Sequence, residues 1–266
     1  MNKSGWVRKP AIAGLFYPAD PHVLQSDILT MLETSRRAVR EDLPRALVAP
    51  HAGYPYSGPV AASAYSQLEP HAGRIRRVVL LGPSHHVAFH GMATTSAVAY
   101  RTPLGNIDID TDSMRSLESI SGILRMDEAH LPEHSLEVQL PFLQVVLSSF
   151  TIVPLVVGNT DPAFIAEILE TLLDGMETLL VVSTDLSHFH GYQAASTMDR
   201  HTCQAVERLD ARAITLQDAC GHIPLAGLLL WARDHALTAR TLDLRNSGDT
   251  AGSRDSVVGY GAWAFY

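Results

Sequence analysis

Leu47-Val48-Ala49-Pro50-His51-Ala52-Gly53-Tyr54-Pro55-Tyr56-Ser57-Gly58 is the stretch whose reading decides the fold. The apolar run from Arg45 to Ala49 predicts a short buried strand, and Pro50 stops it. His51 follows at once. Gly53 and Gly58 permit a tight turn and a close approach to a ligand, and a helical pattern is expected from near Pro59 through Tyr65. Strand, polar turn and helix form the repeating unit of open α/β folds, whose ligands collect at the carboxyl ends of the strands. A histidine at that position is a candidate metal ligand or acid/base, and a turn-capping role accounts for it equally well until other segments are read.

The same arrangement recurs along the chain. Arg77 to Leu81 predicts a second strand that runs into Gly82-Pro83-Ser84-His85-His86. Its spacing from the first strand suits one βαβ unit, so the two strands are expected to be parallel, often adjacent, and open on one edge of the sheet. Which of His85 and His86 faces inward does not follow from spacing. Thr151 to Val157 predicts a third strand despite Pro154, and Asp161 caps a helix from Pro162 to Leu173. Thr178 to Ser183 predicts a fourth strand, ending in Thr184-Asp185-Leu186-Ser187-His188-Phe189-His190. Three of these four strand ends carry histidine, more than turn chemistry requires.

Other segments read as follows. Pro21 to Arg37 is helical in pattern, and Ala38 to Pro44 is a charged connector. Gly91 to Tyr100 alternates weakly, Ile107 to Asp110 alternates as a strand does, and Thr111 and Asp112 are placed to cap a helix through Leu117. Glu133-His134-Ser135-Leu136-Glu137 is expected to open a helix carrying Leu140, Leu143 and Val146, with His134 and Glu137 sharing a face. Tyr192 to Leu209 predicts a long helix that buries Cys203 as a structural thiol. Cys220 precedes Gly221 at the entrance to an apolar helix ending near Trp231, a position that stabilises a thiolate, although a small buried thiol is the commoner role of a lone cysteine. Two closing strands are expected, over Thr238 to Leu244 and Ser256 to Phe265.

With 266 residues, 46% of them hydrophobic and 18% charged, the chain has the composition of a soluble globular protein and the length of one α/β domain or two smaller ones; without an internal repeat or a linker, one domain over residues 1–266 is expected. A formal net charge of −8 without a basic cluster argues against nucleic-acid binding. Two cysteines do not make a disulfide framework, and no apolar run reaches membrane-spanning length, so a cytoplasmic protein with no membrane partner is expected. No GxSxG elbow, HExxH or P-loop is present. Imidazoles with a thiolate form a mixed N/S donor set for Fe(II), Cu or Zn, while Glu137 and Asp185 are alternative carboxylate donors.

The motifs PHAGYPYSG, LGPSHH, YRTPLGNIDID, EHSLEVQLPFL, STDLSHF, CGHIP and DSVVGYGA, in that order and over nearly the whole length, resemble the Memo family. Its bacterial members carry the label AmmeMemoRadiSam system protein B. The resemblance implies a single domain with a mixed, mostly parallel central sheet flanked by helices, similar to class III extradiol dioxygenases of the LigB type. It implies that His51, His85 and Cys220 hold a metal, Cys220 replacing the glutamate of the dioxygenases. His188 matches the acid/base of those enzymes, with Asp185 nearby, and His134 matches a further pocket histidine that would orient substrate. Ser57 and Ser187 stand where some relatives have cysteine. The expected function is a mononuclear non-haem iron redox enzyme, Fe(II) being favoured over Cu or Zn, acting on an unidentified small molecule. The alternatives are a non-catalytic metal- or peptide-binding protein acting through partners, and a zinc-dependent hydrolase. A radical-SAM protein and the system's protein A are the implied pathway partners. Nothing in the sequence specifies an oligomeric state.

Overall fold

The computed structural model describes residues 5–35 and 42–266. Its centre is a run of four parallel strands, β2 (Ala46–Ala49), β9 (Thr178–Ser183), β3 (Arg77–Pro83) and β8 (Thr151–Val157), lying side by side in that order. These are the four strands expected from the apolar runs. Their residues are almost wholly buried, as required of parallel strands covered on both faces. Antiparallel strands extend the sheet on both sides. β12 (Val257–Phe265) joins the free edge of β2 and also pairs with β11 (Ala239–Asn246) and β10 (His188–His190). On the other side β8 pairs with β4 (Met92–Thr94), which pairs with β7 (Ile123–Arg125).

β2 and β3 are not neighbours, as their consecutive order suggested they would be. β9 lies between them, so the loop after β9 separates the loops carrying His51 and His85. Pro154 is tolerated in β8 because β4 reaches only Val156 and Val157, leaving the ladder on that side open at the proline. The weak alternation over residues 91–100 resolves into β4 and β5 (Ala99–Thr102). β5 forms a separate small sheet with β1 (Val7–Arg8) and β6 (Gly105–Asp108).

Helix α1 (Pro21–Ser35) packs on α2 (Tyr54–Tyr65), and α5 (Leu140–Val146) touches both. Arg36 and Arg37, expected in α1, and most of the following connector lie outside the described residues. Helix α6 (Pro162–Leu172), capped by Asp161, packs on α8 (His222–Asp234), which lies against β3 and β9. Helix α7 (Tyr192–Glu207) covers β11 and β12. The short α3 (Thr111–Leu117) is capped by Asp110, not by Thr111 or Asp112, the Asp110 side chain accepting from Ser113 N. A further turn, α4 (Asp127–His130), leads to the site.

Two helix starts depart from the sequence reading. α2 begins at Tyr54 rather than near Pro59, because Pro55 occupies the first turn, where no backbone donor is required. Gly58 accordingly lies inside this helix. It serves the close approach of α1, since a Cβ there would stand 2.6 Å from Met31 Sδ. α5 begins at Leu140 rather than at Glu133. Pro141 has no N–H to donate to the Glu137 carbonyl, so the preceding turn, Glu137–Gln139, closes as a 3-10 helix.

Candidate metal centre

His51 leaves β2 as a buried residue, 2% exposed. Its loop is fixed by Asp185 at the end of β9, whose Oδ1 accepts from His51 N at 2.7 Å and Ala52 N at 3.3 Å. Ser183 Oγ lies 2.9 Å from His51 Nδ1, receives a bond from Gln139 Nε2 at 2.7 Å and donates to Ser135 O at 2.6 Å. One hydroxyl therefore ties the ring to two other segments. With Nδ1 engaged, Nε2 is the nitrogen left for the site, and it stands 3.3 Å from Cys220 Sγ.

Cys220 reaches this position because its backbone rests on the end of β9. Cys220 N donates to Asp185 O at 3.2 Å, and Asp185 N donates to Cys220 Sγ at 3.4 Å. Gly221 N donates to Thr184 Oγ1, and a Cβ at Gly221 would sit 2.7 Å from Thr184 Cβ and 2.8 Å from the Ser183 carbonyl. Glycine is required at that contact.

His85 leaves β3 half-exposed and is the member of the His85-His86 pair that joins the site. Glu133, 1% exposed, accepts from His85 N at 2.6 Å and from Ser135 N at 2.8 Å. Its Oε1 lies 2.9 Å from His85 Nδ1 and 3.4 Å from His134 Nδ1. The His85 and His134 rings stack at 4.6 Å and 25°, and the His51 ring meets them edge-on at 5.1 and 5.5 Å. Among the described residues, His51, His85 and His134 form a group able to hold a metal ion, one nitrogen from each lying within 4.8 Å of the others.

The expectation that His134 and Glu137 share a face is not met. Glu137 turns the opposite way, into a fully buried ion pair with Arg8, and accepts also from Ala11 N, Ile12 N and Tyr17 Oη. It is therefore no donor to this site. Glu133, its neighbour one turn earlier, is the acid that holds the histidines, and the sequence reading missed it. Its only signal was its place immediately before His134.

The electrostatics separate the three rings. Burial, then the charges of His85 and His134, holds His51 well below the ordinary histidine pKa. Burial also lowers His134, to about 4, helped by His85 and opposed by Glu133. For His85, burial is outweighed by hydrogen bonds to Cys220 and Glu133 and by their charges, which hold it up at about 10. Burial alone would raise Glu133, yet the bonds from His85 and Ser135 keep it below the usual carboxylate range. Burial raises Asp185 to about 6 against the two backbone donors and the nearby charges of His188 and His85.

His188 opens β10 at a register shift against β12, and the next residue, Phe189, has φ 61° and is 78% exposed. His188 and Cys220 line one cleft of about 510 Å³ together with His190, Met198, Leu216 and Gln217. The structure thus brings His51, His85 and His134 together with Cys220 beside His51, ties Asp185 to the His51 loop, and places His188 and Cys220 in the lining of one cleft. Ser57 lies apart, its hydroxyl donating to Ala52 O, and Ser187 is buried. No helix among the described residues is long and apolar enough to cross a membrane.

The donor set suits a metal. In a tetrahedral site, nitrogen at about 2.0 Å and sulfur at about 2.3 Å from one ion lie about 3.5 Å apart, close to the His51–Cys220 separation. Ring nitrogens turned away from a metal are ordinarily held by carboxylates or other acceptors, as Glu133 and Ser183 hold these.

The comparisons with known proteins agree with this architecture. A family model described as Memo-like protein matches residues 8–264. The MEMO1 family protein of Methanopyrus kandleri is 37% identical over 283 residues, covering 97% of this chain and 98% of that one. The MEMO1 family protein of Sulfolobus acidocaldarius is 34% identical over 281 residues, with 96% and 97% covered. Among solved structures, that of an uncharacterized protein from Escherichia coli K12 aligns with a TM-score of 0.53 at 14% identity, over 82% of this chain and 99% of that one. That likeness concerns the fold alone. By the match over residues 8–264 and by relatives 34–37% identical over nearly its whole length, the chain belongs to the Memo family.

Proposed function

We propose that this Memo-family protein is a mononuclear metalloenzyme of the non-haem iron redox type, acting on a small molecule bound in the cleft beside Cys220. The observation that supports the reading is that His51, His85 and Cys220 come from three chain segments, with Ser183 and Glu133 engaging Nδ1 of the two rings and Cys220 Sγ lying 3.3 Å from His51 Nε2. Fe(II) held by two imidazoles and a thiolate would supply a redox-active centre with open positions for substrate and oxygen. Cu and Zn suit the same donors.

The chain's own residues have distinct tasks in this reading. Asp185 positions the His51 loop through two backbone bonds. Ser183 and Glu133 fix the ring orientations of His51 and His85. His188, across the cleft, takes or returns the proton of a substrate hydroxyl. Met198 and Leu216 give the cleft an apolar side for the substrate to rest on.

The test is metal content and electronic spectra of protein purified without air and reconstituted with Fe(II), the wild type beside His51→Ala, His85→Ala and Cys220→Ala. One equivalent of iron in the wild type, lost or spectrally altered in each variant, is the expected result. Oxygen uptake with aromatic and other small substrates then tests the redox assignment. Wild-type metal content in all three variants would defeat the reading. Turnover that depends on zinc and not on oxygen would favour a hydrolase.

A further inference from the structure

His188 belongs to a turn that the backbone would not adopt unaided. Phe189 follows it at φ 61°, a left-handed conformation unfavourable for a bulky side chain, and the pairing of β10 with β12 shifts register between His188 and His190. Such a conformation persists only where its surroundings over-determine it. We propose that Asp199, inside helix α7, is the positioning residue for His188, holding the turn from behind so that the imidazole stays in the lining of the cleft. The inference rests on the proton-transfer role given to His188 above and deepens it.

Three observations carry it. Asp199 is 2% exposed, and its Oδ1 accepts at 3.1 Å from Ser187 N, the residue immediately before His188. The carboxylate also lies directly on β12, where a Cβ added at Gly259 would collide with it, so glycine is required at that contact. Gly259 in turn clamps the same segment, accepting from Leu186 N and donating to Ser187 O, both at 2.8 Å. Helix, strand and turn are thus tied together at the residue that precedes His188.

A residue that only filled space between α7 and β12 would be apolar, because burying a carboxylate is costly unless its charge is used. Burial raises the Asp199 pKa, opposed by Ser187 and by the charges of His188 and His190. The carboxylate is therefore linked to the turn by charge as well as by contact. An anionic Asp199 and a protonated His188 stabilise each other, which suits a histidine that takes and returns a proton.

The experiment is nuclear magnetic resonance on metal-free, full-length protein with labelled histidine and phenylalanine, comparing wild type, Asp199→Asn and Asp199→Ala. His188→Gln assigns the His188 ring signal. In Asp199→Ala the Ser187 amide should exchange with solvent at least about tenfold faster, relative to the amides of β9, than in the wild type. The contact between the His188 and Phe189 rings, whose centroids lie 5.7 Å apart, should also be lost from its spectrum. Asp199→Asn keeps a carbonyl oxygen for Ser187 N and should restore both. Asp199→Leu, close in volume, carries the same expectation as the alanine variant should that one fold poorly. A purely structural Asp199 would lower the unfolding midpoint in Asp199→Ala and Asp199→Leu yet leave Ser187 exchange and the ring contact as in the wild type, and that result would overturn the inference. Failure of the wild type to take up iron would instead overturn the metal reading on which the proton-transfer role of His188 depends.

Discussion

Glu133 and Glu137 are one helical turn apart in sequence, equally buried, and employed in opposite ways. Glu137 faces Arg8, a permanent cation, and its remaining acceptor capacity is filled by Ala11 N, Ile12 N and Tyr17 Oη. Glu133 faces two imidazoles, whose charge depends on pH and on whatever occupies their other nitrogens. The first arrangement fastens residues 8–17 to the loop of residues 133–137 and has no capacity left for a reaction. The second converts the same loop into part of a site. A buried carboxylate alone therefore says little about function. The protonation freedom of its partners decides which kind it is.

The largest effect expected on this contrast comes from Arg8→Ala. It leaves Glu137 charged and unpaired in the core, at a cost of about 3–5 kcal/mol in urea or guanidinium unfolding. A loss below about 1 kcal/mol would mean that Glu137 is not carried as an ion, and the contrast with Glu133 would collapse.

Acid probes the same structural side next. His130 is fully buried, with Tyr100 Oη at 2.6 Å from Nδ1, the Ala93 carbonyl at 2.9 Å from Nε2, and Arg8 Nε donating to its carbonyl. Burial lowers its pKa from 6.5 to about 4, with the Arg8 charge assisting. Because the unfolded chain takes up this proton from about pH 6.5 and the native state only near pH 4, stability should fall as pH drops through that window and level off below it. The size is about 3 kcal/mol. Comparing unfolding at pH 7 and 4.5 in wild type and His130→Gln isolates this contribution from those of the other titrating groups. Parallel curves for the two proteins would count against it.

On the chemical side, Glu133→Gln should weaken metal binding about 10–100-fold, the range for outer partners of metal-bound histidine. Its stability should change less than that of Arg8→Ala. Competition with a chelator measures the first quantity and denaturant the second, and a variant that lost stability but not affinity would place Glu133 with Glu137. The smallest effect should come from Tyr17→Phe, which removes one of four donors to Glu137. A loss of about 1 kcal/mol with unchanged metal affinity is expected. A change in affinity would show that the two regions communicate.

The loops after β2, β3 and β9 were legible in the sequence because fully buried parallel strands write themselves as unbroken apolar runs, and the polar residue that ends each run is conspicuous. His51, His85, Cys220 and Asp185 could be picked out for that reason or by their motifs. Glu133 could not. An acid in a polar turn has no periodicity, and the competing reading, a helix beginning at Glu133, assigned the shared face to Glu137. Pro141 overruled that reading locally by denying Glu137 its helical donor. The Arg8–Glu137 pair was equally hidden, since nothing in either neighbourhood names a partner so distant in sequence. Sheet order was the third omission. Chain order gives which strands are parallel, but not that β9 enters between β2 and β3.

That entry of β9 sets a timetable for synthesis. His51, His85 and His134 all leave the ribosome early, yet His51 has no partner for Nδ1 until Ser183 arrives, its loop has no anchor until Asp185, and the sulfur comes only with Cys220. β12, which covers the outer edge of β2, is later still. Between the synthesis of His134 and that of Ser183 a growing chain thus carries three imidazoles without their final supports, and it assembles them only once β9 has been made. On the metal-binding reading proposed above, capture would be a late event coupled to completion of the sheet, and a chain that stalls before β9 would carry loose donors in place of a site.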